Sequence, residues 1–297
     1  MYPRAFHYHR ASSMKEAVTM LAQLGEEAKL LAGGQSLIPL MKLRFASPQH
    51  LVDLNFISGT SYIKEENDAL SFGALTRHAE IETSPAAAKI PIVHDCAAGI
   101  ADVQVRNRGT IGGSLAEADP SGDWATVLMT LSTEVHCLGT NGSRTVPLRD
   151  FIKDAYTTAL GHDELVSAVV VKNPPKGSGG AYLAFKRSAP VYPTASAAVQ
   201  LTLDGDVCND AAIALGCVGL TAIKAKEAEA ALRGRRINEK TMAATIEAAR
   251  AAADPQSDMR GSADYKRALV GALVKRAIEI AVQRARGERV EVSHIYA

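Results

Sequence analysis

Arg106 to Trp124 is the stretch that most limits what this chain can fold into. It reads Arg106-Asn107-Arg108-Gly109-Thr110-Ile111-Gly112-Gly113-Ser114, then Leu115-Ala116-Glu117-Ala118-Asp119-Pro120-Ser121-Gly122-Asp123-Trp124. Gly109, Gly112 and Gly113 fall close together, with the Thr110 and Ser114 hydroxyls on either side of the glycine pair. Such a run predicts a turn whose amides approach a ligand closely. Glycine has no Cβ to block the approach and tolerates positive φ, and successive exposed N–H groups form an anion-binding concavity. Asp119 and Asp123 follow across a Pro-Ser-Gly kink, which keeps both carboxylates near the turn. Beside a phosphate cradle a carboxylate suits a ribose hydroxyl or a ring N–H better than a phosphate.

A second loop of the same kind comes earlier. Lys29 to Ala32 reads as a short apolar strand that runs into Gly33-Gly34-Gln35-Ser36-Leu37-Ile38-Pro39. Two glycine pairs, each followed by polar groups, raise the odds of a shared anionic ligand above what either carries alone.

The bulk properties exclude several classes. A chain of 297 residues, 47% hydrophobic and 22% charged, has the make-up of a globular protein of two or three domains. Its 33 basic residues against 32 acidic give a net charge of +1, which leaves no electrostatic footprint for nucleic acid or an anionic membrane. No run of about 18 apolar residues is present to span a bilayer, and the first residues lack the pattern of a signal peptide. Cys96, Cys137, Cys208 and Cys217 show no C-x-x-C spacing, so neither a metal nor an iron–sulfur cluster is expected here. Reduced thiols in a cytoplasmic protein are the expectation.

Along the chain, Ser13 and Glu16 form a capping box before Met14, Ala17, Val18, Leu21 and Leu24, with Gly25 as the stop. Strands are expected at Leu51 to Leu54, Tyr62 to Glu65 and Leu70 to Ala74, and helices near Thr76 and after Pro91. An apolar helix follows Trp124. Asn141-Gly142 marks a hairpin after the strand Val135 to Leu138, and Leu165 to Val171 is a buried strand. Asn173 to Gly180, rich in Pro and Gly, is the best domain boundary. Beyond it, Ala181 to Arg187, Ala195 to Leu203 and Ala211 to Cys217 read as a three-stranded sheet. Helices at Thr221 to Leu232, Asn238 to Ala253 and Ser262 to Arg286 cover it.

Neither a G-x-G-x-x-G opening a helix nor a G-x-x-x-x-G-K-[ST] occurs, so the loops are not the familiar nucleotide signatures. They do resemble the flavin subunit of the molybdenum hydroxylases, the xanthine dehydrogenase and carbon monoxide dehydrogenase family. Ala32-Gly33-Gly34-Gln35-Ser36-Leu37-Ile38-Pro39 looks like that family's first FAD loop. Thr110-Ile111-Gly112-Gly113-Ser114, with Ala118-Asp119-Pro120 and Asp123, looks like its second. The likeness covers nearly the whole chain, from Tyr8-His9-Arg10 through Ile100-Ala101-Asp102 and Lys186-Arg187 to Ala263-Asp264-Tyr265.

The resemblance implies an α+β chain with a two-lobed FAD-binding domain of the vanillyl-alcohol-oxidase/PCMH type. The lobes are residues 1–55 and 56–175, and residues 176–297 form the C-terminal sheet-plus-helices domain. It implies that Ala32, Gly33, Gly34, Gln35, Ser36 and Leu37, with Thr110, Gly112, Gly113 and Ser114, wrap the FAD pyrophosphate. Ile100 and Ala101 line the ring and ribityl chain, Asp119 and Asp123 serve the cofactor's hydroxyls and N–H groups, and Asp123 accepts from the adenosine side. Leu165 packs on adenine, Lys186 lies near the flavin, and Tyr192 stands over the isoalloxazine. Gln35 replaces a histidine that close relatives often have, so the FAD is expected to be non-covalent; Ser114 replaces an asparagine, and Val191-Tyr192-Pro193 departs from the usual pattern. No residue of the chain is assigned a catalytic role. Molybdopterin and [2Fe-2S] clusters are expected in partners, a molybdopterin large subunit and an iron–sulfur small subunit, in a dimer of heterotrimers. Substrate and terminal acceptor are not written in this chain.

Other readings compete. A free-standing flavoenzyme and a flavin-free scaffold share the fold, though intact glycine loops speak against the scaffold. His7 and His9 alternate onto one strand face, but two ligands without a third are the mark of surface histidines. Asp119 with His94 or His136 imitates an acid–base pair, with nothing in the sequence to bring them together. Arg233-Gly234-Arg235-Arg236 reads as a solvated surface or a subunit contact.

Overall fold

Ser13 opens the first helix, α1 (Met14–Leu24), by accepting the Glu16 amide on its hydroxyl. The capping box is only half formed. The Glu16 carboxylate turns instead to the amide of Ser12, at 2.7 Å. Ala17, Val18 and Leu21 bury the apolar face of α1, and Gly25 at φ 61° ends it. The computed structural model describes residues 2–292 together with the backbone of Ile295–Tyr296.

Strands β1 (His7–Arg10), β2 (Ala28–Leu31) and β3 (His50–Asp53) make a small parallel sheet with β3 in the middle. The first glycine loop leaves the end of β2. It is shorter than the sequence suggests, because α2 (Leu37–Leu43) begins inside it. Pro39 falls in the first turn of α2, where an amide has no helical partner to lose.

The central lobe is built on an antiparallel sheet. Its strands are β4 (Ile63–Glu66), β5 (Ala69–Gly73), β6 (Thr133–Gly139), β7 (Gly142–Pro147) and β10 (Leu165–Lys172), in the order β4-β5-β10-β6-β7. Between β5 and β6 run five helices: α3 (His78–Glu82), α4 (Pro91–Gly99), α5 (Val103–Arg106), α6 (Ile111–Glu117) and α7 (Asp123–Leu128). A short α8 (Leu148–Phe151) and a ribbon of β8 (Ile152–Asp154) and β9 (Thr157–Thr158) precede β10. Phe72, Trp124, Val127, Phe151 and Val169, all fully buried, hold the helices to the sheet. The hairpin turn is Thr140-Asn141 rather than Asn141-Gly142. Gly142 starts β7 at φ 105°, a backbone that glycine alone takes cheaply.

Beyond the linker, β11 (Ser178–Lys186), β12 (Ala195–Asp204) and β13 (Val207–Gly216) form antiparallel pairs. The expectation of three strands is too low. The two-residue strands β14 (Ile223–Lys224) and β15 (Arg235–Arg236) pair with β13, and β16 (Ile295–Tyr296) pairs with β11. Pieces so short carry no readable alternation. Pairing of β14 also delays the helix expected from Thr221, so α9 runs Lys226–Leu232. Asn238 and Ser262 cap α10 (Glu239–Ala252) and α11 (Ala263–Ala285) through their side chains. In α11, Val270, Leu273, Val274, Ala277, Ile278 and Ala281 are buried on the sheet, as their spacing predicts.

One buried ion pair clasps this half to the central lobe. Arg284 of α11 holds Asp95 of α4 at 2.6 Å and 2.9 Å and also donates to the Gly180 carbonyl at 2.6 Å. Burial pushes the Asp95 carboxyl up, and Arg284 opposes that shift. Removing one partner of such a pair leaves the other charge buried, at a cost of about 3–5 kcal/mol.

Candidate functional site

The two glycine loops meet. Gly33 at the end of β2 packs against the backbone of the second loop: a Cβ placed on Gly33 falls 2.3 Å from the Arg108 carbonyl oxygen and 2.8 Å from the Gly109 Cα. Only the absence of a side chain permits that approach. Gly34 is needed for a different reason, its φ of 73°.

The second loop differs from its expected form. Thr110 caps α6 by accepting the Gly113 amide at 3.1 Å, and Gly112 and Gly113 lie inside that helix without positive φ. Gly112 is required by packing, since a Cβ there falls 2.6 Å from the Ala74 carbonyl of the central sheet. The glycines of this stretch thus serve close approach rather than unusual torsions.

A polar chain ties the loops together from behind. The Asn55 side-chain amide donates to the Ala32 carbonyl at 2.9 Å and to the Asp53 carboxylate at 2.6 Å. Asp53 also accepts the Tyr8 hydroxyl at 2.6 Å. Arg77 completes the link, donating to the Asn55 side-chain oxygen and to the Arg108 carbonyl. Burial raises the Asp53 pKa, but the bonds from Tyr8 and Asn55 outweigh it, and the carboxyl stays below its usual range.

Between the loops and the central sheet opens a cavity of about 760 Å³. That volume is in the range of small-molecule and cofactor sites. Every site residue named from the sequence lines it: Ala32 to Leu37, Ile100, Ala101, Thr110, Gly112, Gly113, Ser114, Asp119, Asp123, Leu165, Lys186 and Tyr192. His94 and His136 do not, so the imagined acid–base pair with Asp119 is not assembled. The Asp119 carboxylate instead accepts the Ser121 amide at 2.8 Å, closing the Pro-Ser-Gly kink.

At one wall stand two buried charges. Lys186 is 1% exposed and donates to the Gly99 carbonyl. Asp123 accepts the Tyr182 hydroxyl at 2.6 Å. Burial drives the Asp123 carboxyl upward, countered first by Lys186 and then by the Tyr182 bond. The two charges are coupled, so a ligand group that meets one is felt by the other. Beside them Gly99, Ile100 and Ala101 offer three successive carbonyls to cations. Lys186 takes the first, and Arg106 takes the Ile100 and Ala101 oxygens at 3.1 and 3.2 Å. Arg106 is itself held by Glu82 at 2.8 Å. Ala101 sits at φ 43°, a left-handed backbone that costs a non-glycine residue roughly 1–2 kcal/mol.

Tyr192 also lines the cavity and is half-exposed, with the Arg260 guanidinium 5.7 Å from its ring centre. Burial first, and then the Asp119 charge, raise its phenol above the ordinary value. Residues that sequence reasoning missed include Asn55, Arg77, His78 and Arg106. Only Asn55, placed just after a strand in Asp53-Leu54-Asn55, carried a local signal of turn chemistry.

The remaining candidates are structural. His9 and His50 meet at 3.0 Å, but among the described residues no group of three or more His, Cys, Asp or Glu is placed to hold a metal. Arg233 binds Asp210 and Glu229 of its own domain. No described helix is long and apolar enough to cross a membrane.

Comparison with known proteins agrees with this geometry. Residues 4–174 match the family described as the FAD binding domain in molybdopterin dehydrogenase, and residues 180–281 match the CO dehydrogenase flavoprotein C-terminal domain. The chain is 42% identical to the carbon monoxide dehydrogenase medium chain of Afipia carboxidovorans, over 96% of this chain and 100% of that one. It is 37% identical to the 6-hydroxypseudooxynicotine dehydrogenase complex subunit alpha of Paenarthrobacter nicotinovorans, over 99% and 100%. Among solved structures, carbon monoxide dehydrogenase from Hydrogenophaga pseudoflava, in a form lacking the Mo-pyranopterin moiety of its cofactor, superposes with a TM-score of 0.93. The identity there is 42%, over 96% of this chain and 99% of that chain. Quinoline 2-oxidoreductase from Pseudomonas putida 86 gives a TM-score of 0.91 at 36% identity, over 96% and 99%. The chain belongs to the FAD-binding medium subunits of the carbon monoxide dehydrogenase and xanthine dehydrogenase family of molybdenum hydroxylases, and is one subunit of a multi-subunit oxidoreductase.

Proposed function

We propose that this chain carries one non-covalent FAD and passes electrons from a [2Fe-2S] partner to an external acceptor. The observation that carries the reading is the backbone contact of Gly33 with Arg108 and Gly109, which sets two amide-rich loops around one cavity. The cavity fits the group: its volume suits a cofactor, and a glycine pair in each loop lets the backbone approach a pyrophosphate closely. When bound, FAD supplies the capacity to accept electrons singly and release them to a different partner.

The protein's own residues hold and tune. Ala32 to Leu37 and Thr110 to Ser114 gather the pyrophosphate, and Asp119 and Asp123 serve hydroxyl and N–H groups. Ile100 and Ala101 face the ring and ribityl chain, and Leu165 packs on adenine. Lys186 brings a fixed positive charge that favours an anionic reduced ring, and Tyr192 covers the outer face. Gln35 offers no imidazole for a covalent link; its amide nitrogen lies 3.5 Å from the Gly33 carbonyl. Domain boundaries near residues 55 and 175 divide these roles, the first two parts holding FAD as lobes of the vanillyl-alcohol-oxidase/PCMH type. The partners are an iron–sulfur small subunit and a molybdopterin large subunit, arranged as a dimer of heterotrimers in the cytoplasm.

The test is to purify the native assembly with Gly113→Val in this chain. A Cβ at Gly113 falls 2.7 Å from the Thr110 hydroxyl that caps the loop. Loss of FAD and of acceptor reduction, with iron–sulfur reduction by substrate intact, is the expected result. Full FAD content and normal turnover would refute the reading.

A further inference from the structure

His78 stands in the wall between the two loops with one ring nitrogen uncommitted. The residue is 5% exposed, and what it shows lies on the cavity. Its amide donates to the Gly109 carbonyl at 3.1 Å, which fixes the start of α3 against the second loop. Its Nδ1 accepts the indole N–H of Trp124 at 3.1 Å. A nitrogen that accepts carries no proton, so the neutral ring keeps its proton on Nε2. Burial above all, then the charges of Arg77 and Arg106, bring the pKa down to about 3, and the ring is neutral at physiological pH.

The Nε2 edge faces Gly109. A Cβ on Gly109 would fall 2.7 Å from Nε2 and 2.8 Å from Cδ2, so only a glycine lets the second loop lie this close to the ring without a side chain covering it. Among the described residues no protein acceptor takes the Nε2 hydrogen, and the ring's one side-chain bond is the one from Trp124. The Nε2 atom is not among the sealed polar atoms of the chain, so its hydrogen is reachable from the cavity, where water or a ligand oxygen can accept it.

We propose that His78 is a further binding residue for the dinucleotide, donating its Nε2–H to a pyrophosphate oxygen between the two glycine loops. The inference rests on the FAD reading. It is the pyrophosphate rather than the ring that His78 meets, because its neighbours Gly109 and Thr110 open the loop that faces Gly33. Trp124 is a positioning residue in this arrangement: it selects the tautomer without reaching the ligand.

The test compares FAD dissociation constants of the native assembly, stripped of flavin and retitrated, for the wild type, His78→Asn and His78→Gln. Asparagine keeps an acceptor for Trp124 and loses the donor into the cavity. Glutamine keeps a donor near the Nε2 position. Expected are roughly tenfold weaker FAD binding for His78→Asn and near-normal binding for His78→Gln. ADP, which has the pyrophosphate without the flavin, should compete more weakly by the same factor in His78→Asn. Unchanged FAD affinity in His78→Asn overturns the inference, and unchanged ADP competition with weakened FAD overturns the assignment to the pyrophosphate. A wild type that takes up no FAD defeats the flavin reading itself. If His78→Asn fails to assemble, His78→Leu decides, since it removes the donor while keeping a side chain of similar reach: weaker FAD and ADP binding supports the inference, and wild-type affinity overturns it.

Discussion

Gly33 and Arg108, 75 positions apart in sequence, are in backbone contact, and a Cβ on Gly33 would stand 2.3 Å from the Arg108 carbonyl oxygen. No real Cβ tolerates that distance, so even alanine must push one loop off the other. Gly33→Ala is therefore expected to fold, because its clash is confined to the loops, and to bind FAD at least about tenfold more weakly, ~1.4 kcal/mol. Flavin fluorescence on titration of the deflavinated assembly measures it; equal affinity would mean that loop spacing does not matter.

Arg106 has a quieter part. It holds the Ile100 and Ala101 carbonyls while Ala101 keeps φ 43°. Arg106→Ala should let that segment relax away from the left-handed region and weaken FAD binding several-fold, with little change in secondary structure by circular dichroism. Wild-type binding in the variant would show that the strain is held elsewhere.

Tyr182→Phe removes the hydroxyl that meets the buried Asp123 carboxylate at 2.6 Å. The loss should destabilise the chain by about 1–3 kcal/mol. It should also raise the Asp123 pKa further, since the bond opposes the effect of burial. A denaturant midpoint within error of the wild type would place the Asp123 charge in a less demanding setting.

The depressed pKa of His78 gives a pH dependence of definite sign. The folded ring titrates near 3 and the unfolded one near 6.5. Below pH 6.5 the unfolded chain binds a proton that the folded chain refuses, so stability falls as pH falls. The slope is about 1.4 kcal/mol per pH unit. Between pH 6.5 and pH 5 the wild type should lose roughly 2 kcal/mol more than His78→Asn. Denaturant unfolding at the two pH values checks this, and parallel slopes would contradict it.

Much of this was legible beforehand. The glycine pairs at Gly33 and Gly112 declared a close approach, and the stripe from Leu269 to Ala281 declared the closing helix. Helix α2 was not legible, because Gly33-Gly34 and Pro39 both read as loop and no side chain caps the helix, whose first turn is closed by backbone bonds from Ile38 to Gly34 and from Leu40 to Ser36. The extra strands of the C-terminal sheet are two residues long, too short for any periodic signal. His78, Arg77 and Arg106 were hidden for another reason. Their roles come from partners such as Trp124, Asn55 and the Ala101 carbonyl, which only the folded chain brings near.

The central claim is that this chain is the flavin carrier of its assembly. Its most direct test is the amount of FAD per copy of the chain, released by acid from wild-type and Gly33→Val assemblies. The account predicts one FAD per chain in the supernatant of the wild type and little in the variant, with the partner chains still bound. Full FAD in the variant, or flavin colour left in the protein pellet, would contradict it.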